Sequence, residues 1–159
     1  MSKNRSTIGW REWVSMPDLS IDWIKVKVDT GARTSVLHTT ELEIFSAEDG
    51  SEHVRFLICP RQRSTGGAVQ AESQLLGRRS VKSSSGNVEL RPVISTVAIV
   101  DNTDLQIELT LTRRDDMGFR MLLGRQAIRR KFVVDPARSY LGPRPPRPVI
   151  ARNWRTKND

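Results

Sequence analysis

Residues 24–37, I-K-V-K-V-D-T-G-A-R-T-S-V-L, put an acid between two strand-forming runs, and this limits the folds open to the chain. Ile24, Val26 and Val28 alternate with Lys25 and Lys27, the period-two pattern of a strand with one face in a core. Asp29 stands where that strand should end, followed by Thr30, Gly31 and Ala32, and residues 34–37 resume β-branched and apolar. Gly31 permits backbone angles closed to other residues, so a tight loop is expected. A carboxylate held between two core strands is costly unless neighbours satisfy it. Taken alone, these letters read as an acid capping a turn.

The rest of the chain reads as short strands. Residues 8–14 form a first strand, Met16-Pro17-Asp18-Leu19 a turn set by its proline, and residues 21–28 the strand that delivers Asp29. Residues 41–45 and 53–58 form a hairpin across Ala47-Glu48-Asp49-Gly50, ended by Pro60. Residues 61–68, with Gly66-Gly67, read as a loop, and residues 70–76 as an edge strand. Residues 79–83 and 88–100 flank the polar turn 84–87. Residues 105–112 alternate Leu105, Ile107, Leu109 and Leu111 with Gln106, Glu108, Thr110 and Thr112. Residues 119–123 and 132–134 are further strands, and residues 124–131 are the one good helix candidate. So many short strands argue for an all-β barrel or sandwich.

At 159 residues the chain is expected to be one domain, long enough to bury about two-thirds of its unfolded surface. The expected organisation is a basic N-terminal tail at 1–7, a folded domain at 8–141 and a Pro/Arg-rich C-terminal tail at 142–159. Four prolines within residues 143–148 favour extended polyproline geometry there, with Val149, Ile150 and Trp154 as anchors.

Asp29-Thr30-Gly31-Ala32 after an apolar strand resembles the catalytic signature of the retropepsin-type aspartic proteases. M-L-L-G-R at 121–125, running into 126–131, is similar to the hydrophobic-hydrophobic-Gly strand of that fold and its short C-terminal helix. The wider pattern is V-D-T-G-A-R-T-S-V-L-H, then G-R-R-S-V-K-S-S-S-G with R-P-V-I, then T-R-R-D-D-M-G-F-R-M-L-L-G-R, then V-V-D-P-A-R-S-Y-L. In this order the blocks resemble the small bacterial family labelled ATP-dependent zinc proteases, over residues 8–141. The resemblance implies an all-β, retropepsin-like closed barrel (the acid protease fold) with one short C-terminal helix, and aspartic peptidase activity.

The residues do not support the rest of that label. There is no H-E-x-x-H, and His38, His53 and Cys59 have no zinc spacing. His38 reads as a hydrogen-bonded structural residue and Cys59 as core. There is no G-x-x-x-x-G-K-[ST] for a nucleotide. Neither metal nor cofactor is expected.

An aspartic peptidase needs two carboxylates about 3 Å apart sharing one proton, because neighbouring like charges do not both ionise. The ionised acid draws a proton from water while the protonated one hydrogen-bonds the scissile carbonyl. This chain has one D-T-G-A; Asp135 precedes a proline, and Asp101 and Asp115 lack the motif. The mechanism therefore requires a homodimer with one Asp29 from each subunit. By resemblance, Thr30 cross-links the two loops, Gly31 lets the backbones approach, Ala32 leaves room for the partner loop and the substrate, and Gly124 packs behind the loop. Two loops, 61–68 and 83–87, are candidates for the flap that covers substrate; neither has an apolar tip.

The net charge is +8, but residues 8–141 hold 19 Lys/Arg and 17 Asp/Glu, so most of the excess is in the ends. Residues 53–100 carry 7 basic and 2 acidic side chains, which would favour an acidic peptide if they border the cleft. Relatives by resemblance are encoded near, or fused to, glutamate ligases, which makes a poly-glutamate tail a candidate substrate and a ligase a candidate partner. Arg33, Arg78, Arg79, Arg114 and Arg125 are the candidate carboxylate binders. For Arg33, Arg114 and Arg125, ion pairs with Asp115, Asp116 or Asp135 are the plain alternative.

One cysteine and an N-terminus without an apolar stretch suit a cytoplasmic protein, and no run is long enough to span a membrane. Two other classes stay open: a catalytically silent barrel that modulates a glutamate ligase or ribosomal protein, and an RNA-binding protein working through its basic tails. No aromatic-rich nucleic-acid motif is present, which disfavours the second.

Overall fold

A computed structural model of the chain describes residues 4–61, 66–82, 85–113 and 118–154, the last four by backbone alone. The strands are β1 (Ser6–Gly9), β2 (Arg11–Met16), β3 (Ile21–Asp29), β4 (Ser35–His38), β5 (Thr40–Ser46) and β6 (Glu52–Ile58). They continue with β7 (Val69–Gln74), β8 (Gly77–Lys82), β9 (Val88–Val100), β10 (Thr103–Thr112), β11 (Met121–Gly124) and β12 (Phe132–Asp135). A 3-10 turn at Pro17–Leu19 joins β2 to β3, and two helices, α1 (Arg125–Ile128) and α2 (Arg147–Trp154), flank β12. The fold is all-β, as expected.

The main sheet runs β10-β4-β11-β3-β2-β9-β8, and β9 also pairs with β10. Val14 and Ser15 of β2 pair with Val100 and Ile99 of β9, so the pairing passes round six strands and returns to its start. This ring of pairings is consistent with the expected barrel. Inside it, Ile24, Val26, Leu37, Ile94, Leu109, Leu111 and Leu123 form one core. Leu105, Ile107, Leu109 and Leu111 are buried as their alternation requires. Thr110 and Thr112 on the opposite face are buried too, because the C-terminal end of β10 is covered on both sides; Thr110 Oγ1 donates to Ser35 O and Thr112 Oγ1 to Glu89. A second sheet, β5-β6-β7, adds Val54, Phe56, Ile58 and Ala71 to the same core.

β11 decides the site. It lies between β3 and β4, parallel to the first and antiparallel to the second, so two strands close in sequence are separated by one from far downstream. Gly124 falls opposite Asp29.

Three local expectations differ from what is observed. The strand expected over 8–14 is two strands, because β1 pairs with β12 while β2 pairs with β3 and β9. The break comes beside Gly9, whose missing side chain admits the backbone of Arg138 and Ser139. The expected helix at 124–131 has only four helical residues. The proline-rich end is not extended throughout: residues 138–142 lie across β2 as a strap, and α2 follows. Among the described residues no helix is long and apolar enough to cross a membrane.

Candidate active site

Asp29 ends β3 half-buried, while Thr30 and Gly31 after it are exposed. The Gly31 N–H donates to Asp29 Oδ1 at 3.0 Å, and the Ala32 N–H to Asp29 O at 3.2 Å. The carboxylate therefore organises its own loop, and the loop turns back at once into β4. A Cβ on Gly31 would stand 3.3 Å from Asp29 Oδ1, tight but not prohibited.

The loop is fixed from behind by the end of β11. Arg125 N donates to Ala32 O at 2.7 Å and Gln126 N to Arg33 O at 3.1 Å, so the free N–H groups of the first turn of α1 are spent on the loop's carbonyls. Gly124 N donates to Ser35 Oγ at 3.0 Å, and Arg125 Nη1 reaches Thr30 O at 3.0 Å. A Cβ on Gly124 would meet Thr34 backbone at 2.5 Å, so only glycine fits. The same letters, L-L-G-R, recur at 75–78, but Gly77 has open space around it. The two glycines differ in packing, not in sequence context.

The structure gathers Asp29, Thr30, Gly31, Ala32, Arg33, Gly124 and Arg125 into one place. Arg33 is exposed, and Arg125 holds the loop through Thr30 rather than pairing with an acid. Arg78 and Arg79, adjacent in β8, point to opposite faces. Arg78 pairs with Glu52 of β6 at 3.0 Å, a bond that holds Glu52 below the usual carboxylate range. Arg79 pairs with Glu108 at 2.8 Å, and Glu108 lines a pocket with Thr34, Ser35, Gln126 and Ala127 beside the Asp29 loop. Arg114, Asp115 and Asp116 lie outside the described residues, as do parts of both flap candidates, 62–65 and 83–84. Asp135 Oδ1 accepts from Ala137 N and so serves a turn.

The hairpin β8–β9 projects from the barrel. Residues 93–100 of β9 pair with β10, whereas residues 88–92 pair only with β8. Val88 and Leu90, two apart on one face, are 67% and 63% exposed. Glu89 and Arg91 on the other face bond each other at 2.9 Å, and Glu89 also accepts from Thr112 Oγ1, anchoring the hairpin's base.

One buried group escaped the reading of the sequence. Glu12 is 1% exposed, and its carboxylate accepts from Gly9 N at 2.7 Å, Leu141 N at 2.9 Å and Gly142 N at 3.0 Å. Above it, Arg11 lies against the rings of Trp10 and Tyr140, with Nε bonded to Ser139 Oγ. Lys25 lies over Trp13, and burial, then the nearby Arg11, lowers its pKa. A carboxylate in the polar-looking stretch R-E-W gave no signal that it was internal. His38 and Cys59 are buried. Among the described residues no three His, Cys, Asp or Glu are grouped to hold a metal.

A family model described as retropepsin-like aspartic endopeptidase RimB matches residues 7–145. Probable alpha-L-glutamate ligases of Shewanella halifaxensis and Shewanella pealeana are each 44% identical over 140 residues, 88% of this chain and 30% of theirs. One from Desulfotalea psychrophila is 42% identical over 133 residues, 28% of its length. The chain thus spans less than a third of the curated relatives it matches. The crystal structure of Lpg0085, a Legionella pneumophila protein of unknown function, is similar with a TM-score of 0.71 at 25% identity, covering 87% of this chain and 98% of that one. With the match spanning nearly all of the barrel and its C-terminal strap, the chain belongs to the RimB-like family of retropepsin-like aspartic endopeptidases.

Proposed function

We propose that the protein is an aspartic endopeptidase built from two copies of this chain, each supplying one Asp29. The observation that carries this reading is the state of Asp29 in the single chain: fixed by its own loop, half-buried, and set beside an exposed Thr30-Gly31 tip. A second copy related by a two-fold axis would bring two such acids together and let them share one proton. One carboxylate then takes a proton from water, and the other donates a hydrogen bond to the substrate carbonyl. Gly124 and Arg125 keep the loop in place during this exchange.

The β8–β9 hairpin is the flap in this reading. Val88 and Leu90 give it an apolar face beside the tip at 83–87, where the sequence had shown only polar residues at the tip itself. The substrate would be a peptide or protein, with an acidic, glutamate-rich tail as the favoured class. The exposed Arg33, which follows the Asp29 loop and has no ion pair among the described residues, supports this, as does the ligase naming of the relatives. A cytoplasmic setting fits Cys59, which is buried and free.

The experiment is cleavage of glutamate-tailed peptides by the purified chain and by Asp29→Asn, with sedimentation to give the assembly state. Wild type should cleave as a dimer. The variant should fold and assemble but lose activity by at least about a thousand-fold. Equal cleavage by both, or cleavage by a monomer, would sink the reading. The ligase naming also favours a second one, a silent barrel that modulates a glutamate ligase. In that case Asp29→Asn would leave the effect on the ligase intact.

A further inference from the structure

The five ion pairs among the described residues all lie on strands β5 to β10, where Arg55, Arg78, Arg79 and Arg91 meet glutamates. The Asp29 end of the barrel is different. Arg33, Arg125, Arg129, Arg130 and Lys131 are all exposed there, and none has an ion pair among the described residues. They belong to one locality: Arg125 Nη1 touches Thr30 O, Arg33 O accepts from Gln126 N, and residues 129–131 follow α1 directly.

This inference rests on the two-subunit reading. A two-fold axis that brings two Asp29 side chains to about 3 Å also brings their neighbours close to their own mates. Ten cations then gather around a dyad that carries a single negative charge when it shares its proton. At about 10 mM salt the screening length is about 30 Å, so that repulsion is felt across the whole interface; at about 150 mM it is about 8 Å. We infer that assembly of the active site is gated by anions: two copies associate when an acidic peptide, or screening salt, offsets the cationic rim. An acidic peptide is favoured over other anions because Arg33 and Arg125, two of these cations, stand at the loop where a peptide would bind. The substrate would then help to build the enzyme that cuts it, and free chains would stay inactive where no acidic tail is present.

The test is sedimentation velocity of the full chain at about 10 mM salt, at about 300 mM salt, and at about 10 mM salt with an oligomer of D-glutamate, which binds as an anion and resists cleavage. The dimer dissociation constant should fall at least about ten-fold with either addition. An Arg129→Glu, Arg130→Glu double variant should dimerise at low salt without the oligomer. A dimer that weakens with salt would overturn the inference. A tight dimer indifferent to salt and oligomer would overturn it and leave the two-subunit reading standing, whereas a monomer in every condition would overturn both. Assembly driven by an oligonucleotide but not by oligo-glutamate would overturn the assignment to an acidic peptide.

Discussion

Gly124 lies opposite Asp29 in the parallel ladder of β11 and β3, and a Cβ there would stand 2.5 Å from the carbonyl carbon and oxygen of Thr34. β11 has no room to move, because it is hydrogen-bonded to strands on both sides. Gly124→Ala must therefore push the 32–35 backbone, and with it the loop that holds Asp29. The expected cost is about 2–3 kcal/mol in urea unfolding, with peptide cleavage lost even where the variant stays folded. Gly77→Ala, with open space around it, should cost less than about 1 kcal/mol in the same assay.

Glu12 joins the first strands to the C-terminal strap through three backbone N–H groups. Glu12→Gln keeps one acceptor and turns the other into a donor facing N–H groups. The protein should lose about 2–4 kcal/mol of stability. Hydrogen exchange should locate the damage, with the Leu141 and Gly142 amides losing protection first.

Lys25 gives a pH dependence with a definite sign. Burial, then Arg11, holds its folded pKa below the ordinary lysine value of 10.5. Between that lowered value and 10.5 the unfolded chain holds a proton that the folded chain has released, so stability from this group rises with pH across the window. Lys25→Met removes the effect. The stability of the variant minus that of wild type should therefore shrink as pH rises from about 7 to about 10, read by urea unfolding. Tyr140, whose pKa is raised by burial, pulls the other way above its usual range in both proteins, which is why the difference is the quantity to follow.

Val88 and Leu90 stand exposed in the stretch 88–92 of β9, which pairs only with β8. If the hairpin covers substrate, Leu90→Asp should raise KM for peptide cleavage several-fold or more. Stability should change by less than about 0.5 kcal/mol, since that side chain is 63% exposed. A change in stability with no change in KM would show that the hairpin is not the cover.

Much of this was legible in residues alone. The alternation of 24–28 and 105–111 predicted β3 and β10, because a strand with one face in the core must repeat every second residue. Asp29 and Gly124 were legible as a pair only by resemblance. The reason for Gly124 is a strand crossing between β3 and β4, and no local pattern encodes which strand lies beside which. The proline-rich end misled for a related reason. The four prolines within 143–148 set local backbone preferences, but the segment before them is bonded across the start of β2 by Trp10, Arg11 and Glu12, and residues 147–154 go on to form a helix.

The sequence by itself determined that this chain is made of short strands, that one acid sits on a tight glycine loop, and that its basic residues outnumber its acids. Tertiary structure alone decided which charges are spent. Arg78 and Arg79 are neighbours in the chain yet meet Glu52 and Glu108 on opposite faces, while Arg33, Arg129 and Arg130 meet no acid among the described residues. Hydrophobic periodicity is a property of adjacent residues and can be read along the chain. The neutralisation of Arg78 and Arg79 depends on partners 26 and 29 residues away and exists only once the strands have paired.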